Sequence, residues 1–458
     1  MAPEVTLTLA NHLTDLRYED LGSEVIEKTK MHILDGIGNQ VCGSQEPGSR
    51  ILLKLALDAK GAGNSTVITC PVKMWPPIAG MVNGTMAHSI EMDDAHRDSL
   101  TKAGSVIVPA AFAVAEHCGA SGKDLILALI CGYEIMVRIG LAMNPGHRAR
   151  GFHSTGTIGA FGAAAVTAKL LKLNGWETAN ALGIAGTQSS GLTAFLDHPS
   201  MIKGFNAGKA AFNGIIAGLL AREGFTGPVN ILEGREGFCR AYGDEPDLIQ
   251  ITLGLGGPLK IMEVGFKPHA ACRYAHGPID VVAEIMPEPV TSSSVRNATI
   301  WTSPLAIRQS NIVEPDDLHS AQGSSPYSVA LAMFTGKNYL NVEDFKVNWG
   351  NPDILELSKK IKMEPDEKLY GYMGRGCRVI IELEDGRVLE NSLELPKGEP
   401  ENPLTVEELQ VKFKTLFIPF LGDEVCQKVM DLVQSIDQLD SLNSLMEILR
   451  AEPNNQQC

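Results

Sequence analysis

The alternation of apolar and polar positions changes in character near residue 265. From about residue 20 to 225 the pattern predicts consecutive helices, the first of them capped by Ser23. Two of these helices, at 158–170 and 207–220, are rich in alanine and glycine. Glycine inside a helix costs roughly 1 kcal/mol relative to alanine, so its repeated use indicates helices that pack closely. We therefore expect a compact domain of many helices in this part of the chain.

Beyond this point the pattern predicts strands as well as helices. β-branched and aromatic residues at 295–302 are typical of a strand. Residues 377–394 predict a hairpin that turns at Asp385 and Gly386. Further helices are predicted to begin at Ser325 and after an N-cap at Asp353. We expect this part to be α+β.

A short linker separates the α+β part from the C-terminus. It covers residues 396–403, which are rich in proline and glutamate. Thr405 then begins a further helical region with a capping-box sequence. The chain is therefore expected to return to helix after the α+β part.

The composition limits the classes of function. The chain has 458 residues and a formal net charge of −15, which argues against a nucleic-acid-binding protein because such a protein needs a basic face. An anionic substrate would have to be held by a locally basic pocket. The nine cysteines form no CxxC pair, so neither a zinc ribbon nor a disulfide framework is expected, and a reducing compartment is favoured.

No secreted or membrane-bound form is expected. The N-terminus has neither a basic start nor an apolar stretch of signal-peptide length. Two uncharged runs, 151–168 and 178–196, approach the ~18 residues that span a bilayer. Polar residues interrupt both runs, so buried helices are predicted instead. The predicted location is cytoplasmic.

The segment 88–104 carries the densest chemistry. Two histidines, four carboxylates, an arginine and a lysine lie in it, and mostly small or apolar residues flank it. Ionisable groups in apolar surroundings are where pKa values shift and proton transfer becomes possible. In one interpretation the segment lines a pocket, with Asp93 binding or orienting, His96 nearby and Lys102 as a cation or base. In the other it is a loop whose charges face water.

Two further segments place basic side chains at the start of small-residue helices. His153 precedes an apolar helix whose positive N-terminal end favours anions, so it is a candidate to donate to a carboxylate or to exchange a proton with it. Alternatively His153 or Ser154 caps that helix. Lys203 is a candidate to neutralise a carboxylate, or else a surface lysine near a helix start.

Residues 266–280 add two histidines, an arginine and a tyrosine. Arg273 is a candidate to clamp a carboxylate through two hydrogen bonds, and His276 is a candidate acid or base. The alternative is a polar loop at a domain boundary. No metal site is predicted, because His269 and His276 lie seven residues apart without a supporting ligand pair. The glycine-rich stretch 253–257 does not match a nucleotide-binding loop.

Taken in order, these segments resemble the MmgE/PrpD family. The resemblance spans about residues 5–450, and its specificity comes from seven motifs that follow one another in the order of the family. The motifs are LDGIG at 34–38, VNG, HS and DD within 82–94, GFHSTGT at 151–157, ALGIA with Gln188 within 181–188, MIK at 201–203, ACRYAHGP at 271–278 and SPY at 325–327.

The resemblance implies a mainly α fold. A large all-helical domain is formed by the N-terminal part plus the C-terminal helices, and a smaller α+β domain is inserted between them. The predicted boundaries are 1–265 and 398–458 for the helical domain and 266–397 for the inserted domain. The resemblance also implies an enzyme that needs no cofactor or metal, acts on a small polycarboxylate and forms a homodimer.

Matched position by position, the resemblance implies a pocket that contains Asp93, His153, Lys203, His276 and Tyr327, and the chemistry of the segments adds Lys102, Arg273 and His96 as candidates. The predicted catalytic residues are Asp93, Lys102, His153 and His276, and the predicted substrate-binding residues are Lys203, Arg273, Tyr327 and His96.

Lys102 departs from the family, whose lyases have a histidine at this point. The unperturbed pKa of lysine, ~10.4, is far above the ~6.5 of histidine. Burial or cationic neighbours would have to lower the pKa of this lysine before it acted as a base near neutral pH. The substitution bears on the type of reaction more than on the class of substrate.

The chemistry that the resemblance implies is proton transfer at a carbon next to a carboxylate. A lyase is favoured, either a dehydratase of the 2-methylcitrate or alkylcitrate type or a decarboxylase of the cis-aconitate type. One alternative is an epimerase of the iminodisuccinate type, which uses two bases on opposite faces of the carbon. The other is a non-catalytic paralogue that binds a carboxylate ligand.

Overall fold

The structure is a computed structural model that describes residues 4–59, 61–198, 200–371 and 374–453. Helix accounts for 59% of it and strand for 9%, which confirms the predicted mainly α class. The helices are α1 (Val5–Asp15), α2 (Ser23–Gly43), α3 (Pro47–Asp58), α4 (Pro76–Ala87), α5 (Gly104–Cys118), α6 (Gly122–Met143), α7 (Gly146–Ala149), α8 (Ser154–Leu170), α9 (Gly175–Thr187), α10 (Ile202–Arg222), α11 (Phe238–Tyr242), α12 (Ile249–Thr252), α13 (Arg273–Ile285), α14 (Pro304–Ser310), α15 (Leu318–Gly323), α16 (Ser325–Thr335), α17 (Val342–Asn348), α18 (Pro352–Lys359), α19 (Glu367–Tyr370), α20 (Val406–Leu421), α21 (Asp423–Gln434) and α22 (Asn443–Leu449). The strands are β1 (Ser65–Thr66), β2 (Lys73–Met74), β3 (Val295–Thr302), β4 (Ile361–Pro365), β5 (Cys377–Leu383) and β6 (Val388–Leu393).

The chain forms two compact units. The first comprises the residues up to Gly265 together with those from Glu408 onward, and the second spans Phe266–Glu407. The first unit is helical apart from the short antiparallel pair β1–β2. The second combines helices with a four-stranded sheet.

Close contacts between helices build the core of the first unit. Helix α10 packs against both α8 and α4. A Cβ atom at Gly214 would lie 2.5 Å from the carbonyl oxygen of Ala160, and one at Gly208 would lie 2.2 Å from that of Met81. Only glycine fits at such distances, which confirms that the small residues serve helix packing.

The C-terminal helices are tied to the first unit by a buried ion pair. The ammonium of Lys412 on α20 pairs with the carboxylate of Asp35 on α2. The same Nζ atom donates to the carbonyl oxygen of Met92 at 2.6 Å. Both side chains are almost fully buried. The C-terminal part of the chain is therefore anchored to the backbone immediately before Asp93.

Two predicted helix starts need correction. The N-cap of α2 is Gly22, and Ser23 is the first helical residue. The N-cap of α18 is Asn351, whose side chain accepts from the backbone N–H of Asp353 at 3.0 Å. Both predicted helices are present. Their starts differ from the prediction by one or two residues, as helix boundaries commonly do.

One helix of the first unit has the length and apolarity of a membrane span. Among the described residues only α6 meets both criteria, and 89% of its most apolar window is buried inside the protein. The 178–196 run is not one helix, since α9 ends at Thr187. Burial of this kind is typical of a core helix.

The second unit is built on a mixed sheet in the order β4-β3-β5-β6. Strand β3 pairs in parallel with β4 and antiparallel with β5, and β5 pairs antiparallel with β6. This confirms the predicted strand at 295–302 and the hairpin, whose turn residue Gly386 has a φ of +89°. Helix α13 packs against β5, β6 and α16. The sheet therefore supports the helix that carries His276.

Candidate functional site

The segment between α4 and α5 is a buried loop. His88, Glu91, Asp93, Asp94 and His96 are all less than 9% exposed. The interpretation in which its charges face water is therefore wrong for these five side chains. A group buried in this way must find its partners inside the protein.

Asp94 holds this loop to three other elements. Its carboxylate accepts hydrogen bonds from the Tyr133 hydroxyl at 2.5 Å and from the backbone N–H of Gly104 at 2.8 Å. The Nδ1 atom of His32 lies 2.8 Å from the same carboxylate. Burial, and next the charge of Asp94, raise the pKa of Tyr133 well above its usual value, so the phenol stays protonated and donates. Asp94 therefore fixes both the loop and the start of α5.

Gly104 must be glycine in this arrangement. A Cβ atom there would lie 2.8 Å from the Asp94 Oδ2 atom and 2.9 Å from the Tyr133 hydroxyl oxygen. Both are held in place by hydrogen bonds and have little room to move. The close approach of Asp94 thus explains why the segment 88–104 ends in a glycine.

Asp93 contacts a histidine to which the sequence assigned no role. The Nδ1 atom of His88 lies 2.6 Å from the Asp93 Oδ2 atom, and both side chains are almost fully buried. The Nε2 atom of His88 lies 3.4 Å from the Nε2 atom of His153. The two rings are 19° from parallel, with centroids 5.3 Å apart. The structure therefore brings two of the predicted catalytic residues together through His88.

His153 occupies the N-cap position of α8, but its side chain makes no capping hydrogen bond. Its Nδ1 atom lies 3.2 Å from the Asn206 amide nitrogen, and the ring of Phe195 packs edge-on against the imidazole. Burial, reinforced by the charges of His88, Arg148 and Lys102, holds the pKa of His153 well below its usual value. His153 is therefore neutral at neutral pH.

Lys102 is close enough to this pair of histidines for its charge to act on both. Its backbone N–H donates to the Thr155 hydroxyl at 3.2 Å, which ties the residue to the first turn of α8. Burial is the main cause that lowers the pKa of His88, and the charges of Lys203 and Lys102 add to it. The charge of Lys102 thus acts on both imidazoles.

Lys203 is paired with an acid from the same loop. Its ammonium contacts the carboxylate of Glu91, and the two side chains are 13% and 11% exposed. The backbone of Glu91 has a φ of +58°, in the left-handed region that residues other than glycine rarely adopt. Lys203 is therefore not the freely exposed lysine of the alternative interpretation.

His96 contacts Ser99 and Glu263. Its Nδ1 atom accepts from the backbone N–H of Ser99 at 3.1 Å, and its Nε2 atom lies 3.4 Å from Glu263. The hydrogen bond with His96, followed by contacts with Lys260, lowers the pKa of Glu263 to about 2. The predicted role of His96 in binding substrate stays a prediction.

In the second unit, His276 and Arg273 contact each other on α13. Arg273 donates from Nη1 to the His276 Nδ1 atom at 3.1 Å, and His276 Nε2 lies 3.2 Å from the carbonyl oxygen of Ala271. Because a guanidinium only donates and a carbonyl only accepts, the proton of neutral His276 is on Nε2. Burial, and next the charge of Arg273, hold the pKa of His276 well below its usual value.

Arg273 and Tyr327 have partners inside the second unit. Arg273 forms a buried ion pair with Glu399 at 2.9 Å. Tyr327 is fully buried, and its hydroxyl donates to the carbonyl oxygen of Asn348 at 3.2 Å. A substrate carboxylate would have to compete with Glu399 for Arg273, and the binding roles of both residues stay predictions.

No group of three histidine, cysteine or acidic side chains is arranged to hold a metal ion in the part of the chain that the structure describes. His269 instead places Nε2 at 2.9 Å from the Asp280 carboxylate. It also accepts from the backbone N–H of Leu340 at 3.2 Å through Nδ1.

Sequence reasoning missed His88 and Asn206. His88 belongs to the same motif as Asp93, five residues before it, and that spacing does not reveal a contact across a loop. Asn206 follows Lys203 by three residues on α10, so the two lie on one face of the helix. That helical spacing was the signal from which Asn206 could have been found.

Comparison with known proteins identifies the family of the chain. The profile of the MmgE/PrpD N-terminal domain matches residues 7–250, and that of the MmgE/PrpD C-terminal domain matches residues 269–438. A cis-aconitate decarboxylase of Aspergillus terreus is 29% identical over 97% of this chain and 96% of its own. A cis-aconitate decarboxylase-like protein of Aspergillus oryzae is 28% identical over 98% of both chains. The human cis-aconitate decarboxylase is 26% identical over 98% of this chain and 95% of its own. With two family profiles matched over most of its length, the chain belongs to the MmgE/PrpD family.

Proposed function

We propose that this protein is a lyase that decarboxylates cis-aconitate or a closely related tricarboxylate without a cofactor. The observation that carries the proposal is the similarity to cis-aconitate decarboxylases along nearly the whole length of both chains. The residues support the same class of chemistry, because Asp93, His153, Lys203 and His276 are all present.

In this reaction the enzyme must stabilise one electron pair and deliver one proton. When a carbon–carbon bond to a carboxylate breaks, carbon dioxide leaves and the bonding electrons stay on the substrate. In cis-aconitate the neighbouring double bond can delocalise that pair toward a carbon next to another carboxylate. A proton delivered to this carbon completes the reaction. The enzyme must therefore hold the remaining carboxylates and supply a proton at one position.

The basic residues are suited to holding the carboxylates. The positive charges of Lys203 and Lys102 both act on His88, and a local positive field is what a chain of net charge −15 needs in order to bind an anion. In this proposal Lys203 exchanges Glu91 for a substrate carboxylate. His153 exchanges the proton at carbon.

An epimerase is the second candidate, and Lys102 is the observation that favours it. The resemblance implies a histidine at this position in lyases of the family, and a lysine opposite a histidine would suit a two-base exchange of a proton. A dehydratase of the 2-methylcitrate type and a carboxylate-binding paralogue are further outcomes of the test. The homodimer and the cytoplasmic location stay predictions from the sequence.

The test is to incubate the purified protein with cis-aconitate, 2-methylcitrate, citrate and iminodisuccinate in deuterated water and to follow each by NMR. We expect cis-aconitate to lose carbon dioxide and the product to gain one deuterium on carbon. Loss of water from either citrate would instead identify a dehydratase. Deuterium exchange with inversion of iminodisuccinate would identify an epimerase. No change in any of the four would favour the binding paralogue.

A further inference from the structure

His88 connects two residues that the sequence predicts to be catalytic. It lies 2.6 Å from Asp93 through Nδ1 and 3.4 Å from His153 through Nε2. All three side chains are at least nine-tenths buried. His88 therefore links Asp93 to His153.

The two ends of this chain of contacts have fixed donor and acceptor roles. At one end, the Asn206 amide also faces the carbonyl oxygen of Leu192 at 3.3 Å. A carbonyl only accepts, so the atom that faces it is the amide nitrogen, and this nitrogen donates to His153 Nδ1. At the other end, the Asp93 carboxylate accepts, so His88 Nδ1 carries a proton and donates to it.

These fixed ends determine the direction of the hydrogen bond in the middle. In a neutral imidazole one nitrogen carries the proton and the other accepts. His153 accepts through Nδ1, so its proton is on Nε2. His88 donates through Nδ1, so its Nε2 accepts. The proton between the two rings therefore belongs to His153 and points toward His88.

We propose that Asp93, His88 and His153 form a proton relay in which the substrate displaces the Asn206 amide from Nδ1 of His153, and this Nδ1 atom then exchanges a proton with the substrate. When Nδ1 of His153 gains a proton, the Nε2 proton of His153 passes to Nε2 of His88. The positive charge then lies on His88, against the carboxylate of Asp93. Delivery to the substrate reverses both transfers and restores two neutral rings, and water supplies the proton that reloads the relay.

In this relay His88 and Asp93 are positioning residues, and only His153 touches the reacting carbon. Asp93 fixes the tautomer of His88 and stabilises the charge that the relay stores there. Burial favours the neutral form of both histidines in the resting state, as the relay requires. The use of the relay in catalysis rests on the proposed function, whereas the tautomers do not.

The tautomers can be measured without any assay of activity. In the full-length protein labelled with ¹⁵N-histidine, the ring nitrogen shifts show which nitrogen carries the proton. We expect a proton on Nδ1 of His88 and on Nε2 of His153, and an upfield shift of the His88 Nδ1 proton in Asp93→Asn. A proton on Nε2 of His88 or on Nδ1 of His153 would overturn the relay. The ring nitrogen signals are assigned with His88→Asn and His153→Gln, because each substitution removes the signals of one histidine.

A double-mutant cycle tests whether the residues act as one unit. We expect His88→Asn and Asp93→Asn each to slow the proton-transfer step by roughly 10²- to 10⁴-fold. The double variant should be no slower than the slower single variant, because residues in one relay are not additive. If the rate losses of the two single variants multiply in the double variant, Asp93 acts independently of His88. His117→Asn, which removes an imidazole outside the relay, is the matched control and should keep the wild-type rate.

The tautomer measurement and the activity assay distinguish a failure of the relay from a failure of the proposed function. If the protein acts on none of the four substrates but the tautomers are as expected, the hydrogen-bonded chain of Asp93, His88 and His153 stands and the assigned reaction fails. If it decarboxylates cis-aconitate with the opposite tautomers, the reaction stands and the relay fails. Thermal unfolding of each variant shows whether a lost activity reflects a lost fold.

Discussion

The ammonium of Lys203 pairs with the carboxylate of Glu91, and both side chains are largely shielded from water. A residue predicted to bind a substrate carboxylate is thus already matched with a carboxylate from the protein. The pairing keeps Lys203 charged and directed toward the loop that carries Asp93. An incoming anion must therefore displace the Glu91 carboxylate from Lys203.

Replacement of Lys203 by methionine should weaken substrate binding. A hydrogen bond to a charged group contributes about 1.5–3 kcal/mol, which corresponds to a KM raised at least tenfold. Glu91→Gln is the matched variant, because it retains Lys203 and removes the competing charge, so KM should fall or stay within a few-fold of wild type. Equal increases in KM for the two variants would mean that the pair has only a structural role.

Removal of the Lys102 charge should raise the pKa of His153. Burial is the main cause that lowers the pKa of His153. The charges of Arg148 and Lys102, and that of His88 when it is protonated, lower it further, and Asp93 raises it. Without the Lys102 ammonium the imidazolium form is less disfavoured, so an NMR titration of Lys102→Met should show His153 protonating at a higher pH than in wild type. Lys54→Met, which alters an exposed lysine, should leave the titration unchanged. An unchanged or lower pKa in Lys102→Met would show that the two side chains do not interact.

The hydroxyl of Tyr133 should matter for catalysis as well as for stability. Tyr133→Phe leaves the buried Asp94 carboxylate one donor short, at an expected cost of about 1–3 kcal/mol. Because Asp94 adjoins Asp93, the loop should lose its fixed geometry and kcat should fall more than KM changes. Tyr242→Phe removes a hydroxyl that donates to Ser189 at 2.8 Å, outside this loop, and should lower stability without a comparable loss of kcat. The same fall in kcat for both variants would contradict the role of Asp94.

Loss of Lys412 should be strongly destabilising. Lys412→Met leaves the Asp35 carboxylate buried without its ion-pair partner, which typically costs about 3–5 kcal/mol. The midpoint of urea denaturation should fall accordingly, and the double variant Lys412→Met/Asp35→Leu should recover much of the loss. Lys428→Met breaks an exposed pair with Glu424 on α21 and should change stability by less than about 0.5 kcal/mol. Similar midpoints for Lys412→Met and Lys428→Met would argue against a buried ion pair.

The helices and the hairpin were predictable because their signals are local. The apolar periodicity and the Asp385–Gly386 turn depend on neighbours in sequence, and the structure confirms the elements that they predict. Helix caps were less predictable, because Asn351 and Asp353 have similar capping chemistry and only the backbone decides between them. Local patterns therefore identify an element more reliably than its first residue.

The contacts of the candidate site could not be predicted from local patterns. His88 and His153 lie 65 residues apart, and their contact depends on how a loop packs against the start of α8. The pairing of Lys203 with Glu91 depends likewise on the left-handed backbone of Glu91. The resemblance indicated which residues to consider, and the tertiary structure was needed to show which of them touch.

His153 is proposed to exchange the proton that replaces carbon dioxide on the substrate. The test is to supply cis-aconitate labelled with ¹³C in every carboxylate, in deuterated water, to the wild-type protein, to His153→Gln and to His117→Asn. We expect wild type and His117→Asn to release labelled carbon dioxide and to form a product with one deuterium on carbon. We expect His153→Gln to do so at least ~100-fold more slowly. No labelled carbon dioxide from wild type, or an undiminished rate in a folded His153→Gln protein, would contradict the claim.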